Sequence, residues 1–195
     1  MLIIGISGQT GAGKSTTANI LSELGYGENL EVDAVGHELL TDTNTKSVLV
    51  EKFGKEIIDP SGEVDRKILG RKVFSNEENT LILNNIMHPA MVKKIGDYIG
   101  KRKKQGINSI IINAALLFTM KLDLLCNKLI YVQSDPQLRL NRLIQYRSLP
   151  EDRAKERLFA QDKLPENRKD IIIIENNGNE SELKANITKI AKQFL

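Results

Sequence analysis

The residues whose types and spacing could do chemistry begin with Gly8-Gln-Thr-Gly-Ala-Gly-Lys-Ser-Thr16. A structural turn needs one glycine; here Gly8, Gly11 and Gly13 crowd together and Lys14, Ser15 and Thr16 follow at once. Backbone stripped of side chains can fold so that consecutive N–H groups converge on an anion. Gly8-x-x-x-x-Gly13-Lys14-Ser15 is the spacing of a phosphate-binding loop. Gly8, Gly11, Ala12, Gly13, Lys14, Ser15 and Thr16 form the candidate nucleotide-binding set. In it Lys14 reaches the β- and γ-phosphates, and the Ser15 hydroxyl is a hard oxygen ligand suited to Mg²⁺. The residues imply a nucleoside triphosphate, taken as ATP, with Mg²⁺.

The fate of the γ-phosphoryl group depends on what else the chain carries. A guanine-reading Asn-Lys-x-Asp is missing: the nearest stretch, Asn127-Lys128-Leu129-Ile130, lacks the aspartate. Asp33-x-x-Gly36 and Asp59-x-x-Gly62 match a switch-type pattern too short to be informative. A kinase needs a group that orients or deprotonates an acceptor hydroxyl, and cations that follow the moving charge. Asp33 is expected at the carboxyl end of a second strand, where ligands bind in open parallel sheets; the alternative role is N-cap of a helix starting at Ala34. Arg139 and Arg142 fall i,i+3 on one helix, Arg153 and Arg157 i,i+4 on the next, with Arg147 between them. Two short helices lined with arginine read as a lid, and Arg142 is its candidate catalytic cation beside Lys14 and Asp33. These residues suit a small-molecule kinase, with nucleosides and other small metabolites among the possible acceptors. Acceptor profiling separates such kinases; a nucleotide-dependent switch or binding protein stays open as the other class, and it predicts ATP binding with no preferred acceptor and a partner protein retained in pull-downs.

The elements that must position these groups follow from hydrophobic patterning. Leu2 to Ser7 is a short apolar run before the glycine loop, and Ala18, Leu21 and Leu24 recur at helical spacing after it. Leu30 to Val32, Ser109 to Asn113, Leu129 to Val132 and Ile171 to Ile174 complete a set of about five strands. Continuous apolar strands separated by helices imply a parallel sheet covered on both faces. Asp65 is expected to cap a helix carrying Ile68, Leu69 and Val73, and Pro89 to open one carrying Val92, Ile95 and Ile99. Asp135-Pro136 starts another helix, Ser148-Leu-Pro-Glu151 reads as a capping box, and Leu183, Ile187, Ile190 and Ala191 stripe the last. The expectation is one α/β domain of P-loop NTPase type. Its core is 1–35, 107–136 and 168–195; a helical insertion covers about 36–106 and a lid about 137–165.

Composition sets outer bounds. With 41% hydrophobic and 27% charged residues among 195, the chain can bury a core. A formal charge of +3 does not point to nucleic acid, and no apolar run is long enough for a bilayer. The single cysteine, Cys126, cannot close an internal disulfide, and no His/Cys cluster suggests zinc. The start has no basic leader and runs directly into the first strand, so a cytoplasmic setting is expected. No pattern specifies an oligomeric state.

Taken in order along nearly the whole chain, the motifs resemble the dephospho-CoA kinases. Those enzymes transfer the ATP γ-phosphoryl group to the ribose 3′-hydroxyl of dephospho-CoA, the last step of coenzyme A synthesis. The resemblance rests on the glycine loop; on Glu31-Val32-Asp33-Ala34-Val35-Gly36-His37; on Phe53-Gly54; and on Gly62-Glu-Val-Asp65-Arg66 with Leu69 and Phe74. It continues through His88-Pro89, Ala115-Leu116-Leu117-Phe118, Arg142-Leu143, Arg157-Leu-Phe-Ala-Gln161 and Ile174-Glu175-Asn176-Asn177-Gly178. It implies that Asp33 activates the acceptor, that the helical insertion holds the CoA moiety, with His37, Arg66 and His88 as substrate-binding candidates, and that Arg142 lies in the lid. The chain departs from the pattern at Glu31 (usually Asp), His37 (usually Arg), Asn113 (usually Asp), Ala115 (usually Pro), Thr119 (usually Glu) and Arg139 (usually Gln).

Overall fold

The structure, a computed structural model, describes residues 1–147, 149–159, 164–166 and 168–194. Along the chain run β1 (Leu2–Gly8), α1 (Lys14–Glu23), β2 (Glu28–Glu31), α2 (Val32–Leu39), α3 (Thr43–Phe53), α4 (Arg66–Val73) and α5 (Glu77–Lys104). Then come β3 (Ser109–Asn113), β4 (Lys128–Gln133), α6 (Pro136–Arg147), α7 (Glu151–Phe159), β5 (Ile171–Glu175) and α8 (Glu180–Ala191). The chain divides into two compact units, one of Met1–Glu31 with Lys101–Leu195 and one of Val32–Gly100.

In the first unit five strands pair in parallel in the order β2-β3-β1-β4-β5. Placing β1 in the centre makes both its faces apolar. Ile4 and Ile6 point into a core shared with Ala18 and Leu21 of α1, Ile111, Ile130, Val132, and Leu183 and Ile187 of α8. Gly5, on the alternate face, leaves room for Leu117, Leu129 and Cys126; a Cβ there would lie 2.7 Å from the Cys126 sulfur. The strands therefore read as unbroken Ile/Val runs rather than alternating ones. Asn127 ties its segment to β1 by exchanging hydrogen bonds with Ile3: the Ile3 N–H donates to its Oδ1 and its own N–H donates to the Ile3 carbonyl, both at 2.8 Å. That is a structural use for the stretch once compared with a guanine motif. Asp135 caps α6 as its sequence position predicts, Oδ1 accepting from the Gln137 and Leu138 N–H groups. Pro150 immediately precedes α7, while Ser148 of the expected capping box and Gln161 lie outside the described residues.

Two expectations are corrected. The second strand is Glu28–Glu31 rather than Leu30 to Val32. Its register ends with Glu31 opposite Asn113, the last residue of β3, so Val32 has no ladder partner and instead starts α2, burying itself with Val35 and Leu39. Asp33 is thus in the first helical turn, neither at a strand tip nor capping a helix that begins at Ala34. Pro89 lies inside α5, not in its first turn. The ring removes a donor and crowds the Asn85 carbonyl, at a cost on the order of 3 kcal/mol. Met87, Met91 and Ile95 are buried on both sides of it, so packing holds the two halves in one helix.

The second unit is helical apart from an Ile58–Val64 antiparallel bridge around the turn at Asp59. Asp59 Oδ1 accepts from the Ser61 N–H, the Ser61 hydroxyl and the Glu63 N–H, which makes Asp59-x-x-Gly62 a turn rather than a switch. Those bonds, the Ser61 hydroxyl first, hold the Asp59 carboxyl below its usual range. Asp42 and Asp65 cap α3 and α4. Met91 of α5 packs against Gly36 of α2, where an added Cβ would sit 3.2 Å from its methyl, and Lys94 pairs with Glu38 at 2.7 Å.

Candidate functional site

The site begins where β1 runs out. Gly8 has φ +144°, and a Cβ on it would overlap the Val132 carbonyl oxygen of β4, so only glycine lets the loop leave the sheet this closely. The Gln9 N–H then donates to the Val132 carbonyl at 3.0 Å, and the Ala12 N–H returns to the Gln9 carbonyl at 3.1 Å. Gly13, φ +97°, is the residue before α1 and carries no side-chain cap; no acid occupies the first helical turn. The first N–H groups of a helix lack intrahelical acceptors, and the helix dipole adds positive potential at the same end. A helix start with neither cap nor carboxylate fits a bound phosphate anion.

Lys14 Nζ folds back onto the loop, donating to the carbonyls of Gly8 (3.0 Å) and Gln9 (3.2 Å). The ammonium is thereby kept over the cup. Ser15 is exposed, and the amide Nδ2 of buried Asn113 donates to its hydroxyl at 3.3 Å. Thr16 follows, half-buried, and Ala12 is fully buried beneath the loop. An exposed hydroxyl at the head of the helix is a donor set that suits Mg²⁺ brought in with phosphate oxygens.

Residues distant in sequence hold this loop in shape. Asn176, at the end of β5 and 8% exposed, donates from Nδ2 to the Ala12 carbonyl at 2.8 Å. A Cβ on Gly13 would lie 2.5 Å from that nitrogen, so the glycine is needed for the neighbour as well as for its own φ. The Asn176 carbonyl accepts from the Ser134 hydroxyl (2.8 Å), and the Asn177 Oδ1 accepts from the Asp135 N–H (2.8 Å). Arg142 Nη1 donates to the Ser134 hydroxyl (3.3 Å) and Nη2 to the Gly178 carbonyl (3.4 Å). Arg139 is 6% exposed, donates from Nε to the Ser134 carbonyl at 3.1 Å, and has its pKa lowered by burial. The chain Arg142–Ser134–Asn176–Ala12 joins α6 to the phosphate loop through hydrogen bonds.

The first unit therefore brings together Gly8, Gly11, Ala12, Gly13, Lys14, Ser15, Thr16 and Arg142. Asp33, His37, Arg66 and His88 belong to the second unit. Asp33 and His37 are exposed on α2, Arg66 is exposed at the start of α4, and His88 is half-buried in α5, where burial lowers its pKa. On α7 the exposed Arg153 and Arg157 accompany a Glu151–Lys155 pair at 2.7 Å; the Arg147 side chain lies outside the described residues. Sequence reasoning placed Asn113 at the end of a strand and Asn176 in a turn, as a departure from and a match to the resemblance, and gave neither a part in holding the loop. The available signal was their position at the carboxyl ends of strands in a parallel sheet. Among the described residues no cluster of three or more His, Cys, Asp or Glu side chains could hold a metal, and no helix is long and apolar enough to cross a membrane.

Comparison with known proteins bears on this geometry. The sequence model of the dephospho-CoA kinase family matches residues 2–182. The dephospho-CoA kinase of Carboxydothermus hydrogenoformans is 33% identical over 98% of this chain and 94% of its own; that of Fusobacterium nucleatum is 33% identical over 94% and 93%. A solved dephospho-CoA kinase from Campylobacter jejuni superposes with a TM-score of 0.70 at 26% identity, covering 98% of this chain and 96% of that one. Shikimate kinase from Acinetobacter baumannii, 18% identical with a TM-score of 0.53 over 99% and 94%, shares the fold.

Proposed function

Since the chain belongs to the dephospho-CoA kinase family and phosphorylates dephospho-CoA in coenzyme A biosynthesis, we propose that it uses the phosphate loop, Asp33 and Arg142 to transfer the γ-phosphoryl group of ATP in line to the ribose 3′-hydroxyl. The observation that carries this reading is the uncapped, acid-free start of α1 with the Lys14 ammonium folded over it.

The loop N–H groups and the helix dipole hold the β- and γ-phosphates. Lys14 exchanges the carbonyls of Gly8 and Gln9 for phosphate oxygens, trading neutral acceptors for charged ones and gaining stronger bonds. Ser15 would hold Mg²⁺, which when bound neutralises charge on the β- and γ-oxygens. Asp33, two residues past the end of β2 in the chain, accepts or orients the proton of the acceptor hydroxyl. Arg142 leaves Ser134 and the Gly178 carbonyl to follow the charge of the transferring group, worth most where water is excluded. His37, Arg66 and His88 of the helical unit contact the CoA moiety. The reaction takes place in the cytoplasm.

The test is direct: purified protein, ATP, Mg²⁺ and dephospho-CoA, with coenzyme A detected as product and adenosine and uridine supplied as competing acceptors. Coenzyme A should form with neither competitor phosphorylated at a comparable rate. Phosphorylation of either nucleoside in preference to dephospho-CoA would overturn the substrate assignment.

A further inference from the structure

We infer that Asn113 is a positioning residue for Ser15, and that its neutral amide makes the site recruit its divalent cation through the nucleotide's phosphates rather than through a protein charge. This rests on the reading above that Ser15 is the metal-ligating hydroxyl. Asn113 closes β3 in register with Ile6 of β1, one pairing step before the strand runs into Ser7 and the glycine loop. It is 7% exposed, and a buried amide keeps a hydrogen-bond partner because losing one leaves a desolvated dipole. That partner is the Ser15 hydroxyl at 3.3 Å, from a residue 98 positions away in the chain.

Ser15 itself is exposed at the head of α1, where its side chain would otherwise rotate freely. The bond from Asn113 Nδ2 occupies one lone pair of Oγ and fixes the rotamer, leaving the second lone pair for a cation. It does so without adding charge. A carboxylate in the same place would accept the serine proton and bring a unit negative charge close to the cation, where attraction is felt strongly because the position is buried. Among the described residues no group of three or more His, Cys, Asp or Glu side chains forms a ready-made metal site. With a neutral amide at 113 the negative charge beside Ser15 is left to the phosphates, and residue 113 sets the cation demand of the enzyme.

The experiment is a Mn²⁺ titration read by electron paramagnetic resonance of the free aqueous ion, with and without a non-hydrolysable ATP analogue, on wild type, Asn113→Asp, Asn113→Ala and Ser15→Ala. With the analogue, Asn113→Asp should tighten Mn²⁺ binding about tenfold and Asn113→Ala should weaken it about threefold. Without nucleotide, Asn113→Asp should bind Mn²⁺ more tightly than wild type. The half-saturating Mg²⁺ concentration in turnover should move the same way, with KM for dephospho-CoA unchanged. Both Asn113 variants binding Mn²⁺ within twofold of wild type, while Ser15→Ala binds it weakly, would overturn the inference and leave the Ser15 assignment standing. Ser15→Ala binding like wild type would remove that assignment and the inference with it. If aspartate at this buried position prevents folding, Asn113→Ala carries the test alone: its wild-type affinity would refute the positioning role.

Discussion

The phosphate loop and the helical unit of Val32–Gly100 are held together in different ways. The loop is shaped from outside: Val132 blocks any side chain on Gly8, Asn176 crowds Gly13 and bonds the Ala12 carbonyl, and Asn113 bonds Ser15. Each of those partners sits on another strand or just past its end. The helical unit takes its caps and turns from neighbours in sequence: Asp42 caps α3, Asp65 caps α4 and Asp59 folds its own turn, while Met91 against Gly36 and Lys94 with Glu38 join α5 to α2. Phe74, 80% exposed, and Leu81, 61% exposed, remain on its surface around a cavity of about 420 Å³ that Asn76, Glu77 and Thr80 help to line. The loop takes its shape from residues far away in the chain, while the caps and turns of the helical unit come from residues close by and part of its apolar surface stays open.

The sharpest way to break this contrast is Lys14→Ala, which should lower turnover about 10³-fold or more while leaving the thermal midpoint close to wild type, because the ammonium's bonds to the Gly8 and Gln9 carbonyls are ones it exchanges for phosphate. A large loss of stability instead would make Lys14 a structural strut. Next, Cys126 reports on the rigidity beneath β1. Burial pushes its thiol from an ordinary 9.0 up to about 12. At pH 8 a thiol reagent should therefore modify the folded protein about a thousandfold more slowly than the unfolded chain. The stability linked to the neutral thiol is fully present below about pH 9 and is lost as pH rises toward 12, because the unfolded thiol ionises first. Denaturation midpoints at about pH 8 and 10.5, compared with Cys126→Ala, should show that extra alkaline loss only with the cysteine present.

Asp33→Asn should reduce turnover about 10²-fold with ATP affinity retained, as expected if the helical unit contributes chemistry and the loop contributes binding. Isothermal titration with ATP together with initial rates separates the two; a lost ATP affinity would place Asp33 in nucleotide binding instead. Asn176→Ala should raise KM for ATP about tenfold with KM for dephospho-CoA unchanged, since the Ala12 carbonyl loses its anchor. An equal rise in both would mean a general loosening of the fold. Smallest is Asp65→Ala: removal of a helix cap costs about 1 kcal/mol in a denaturant titration, with ATP affinity unaltered.

Much of the architecture was legible locally. The strand of Ser109–Asn113 and the caps at Asp65 and Asp135 were readable because each depends on residues within a turn or a strand. The ends of β2 were not, since they depend on where β3 stops. Pro89 misled because a local penalty was outweighed by the packing of Met87, Met91 and Ile95. Within the site, the glycine loop and Lys14 announced themselves by type and spacing, and Arg142 by its place in a cluster.

Taken alone, the amino-acid order determined that a phosphate loop exists between a strand and a helix, because that motif is contiguous and its glycines, lysine and serine act at fixed short spacing. Only the folded chain decided which side chains hold the loop. The bonds Asn176–Ala12 and Asn113–Ser15 join residues 164 and 98 positions apart. No periodicity encodes such a pair: it arises when parallel strands bring their carboxyl ends to one edge, and a buried amide there takes the nearest partner that satisfies it.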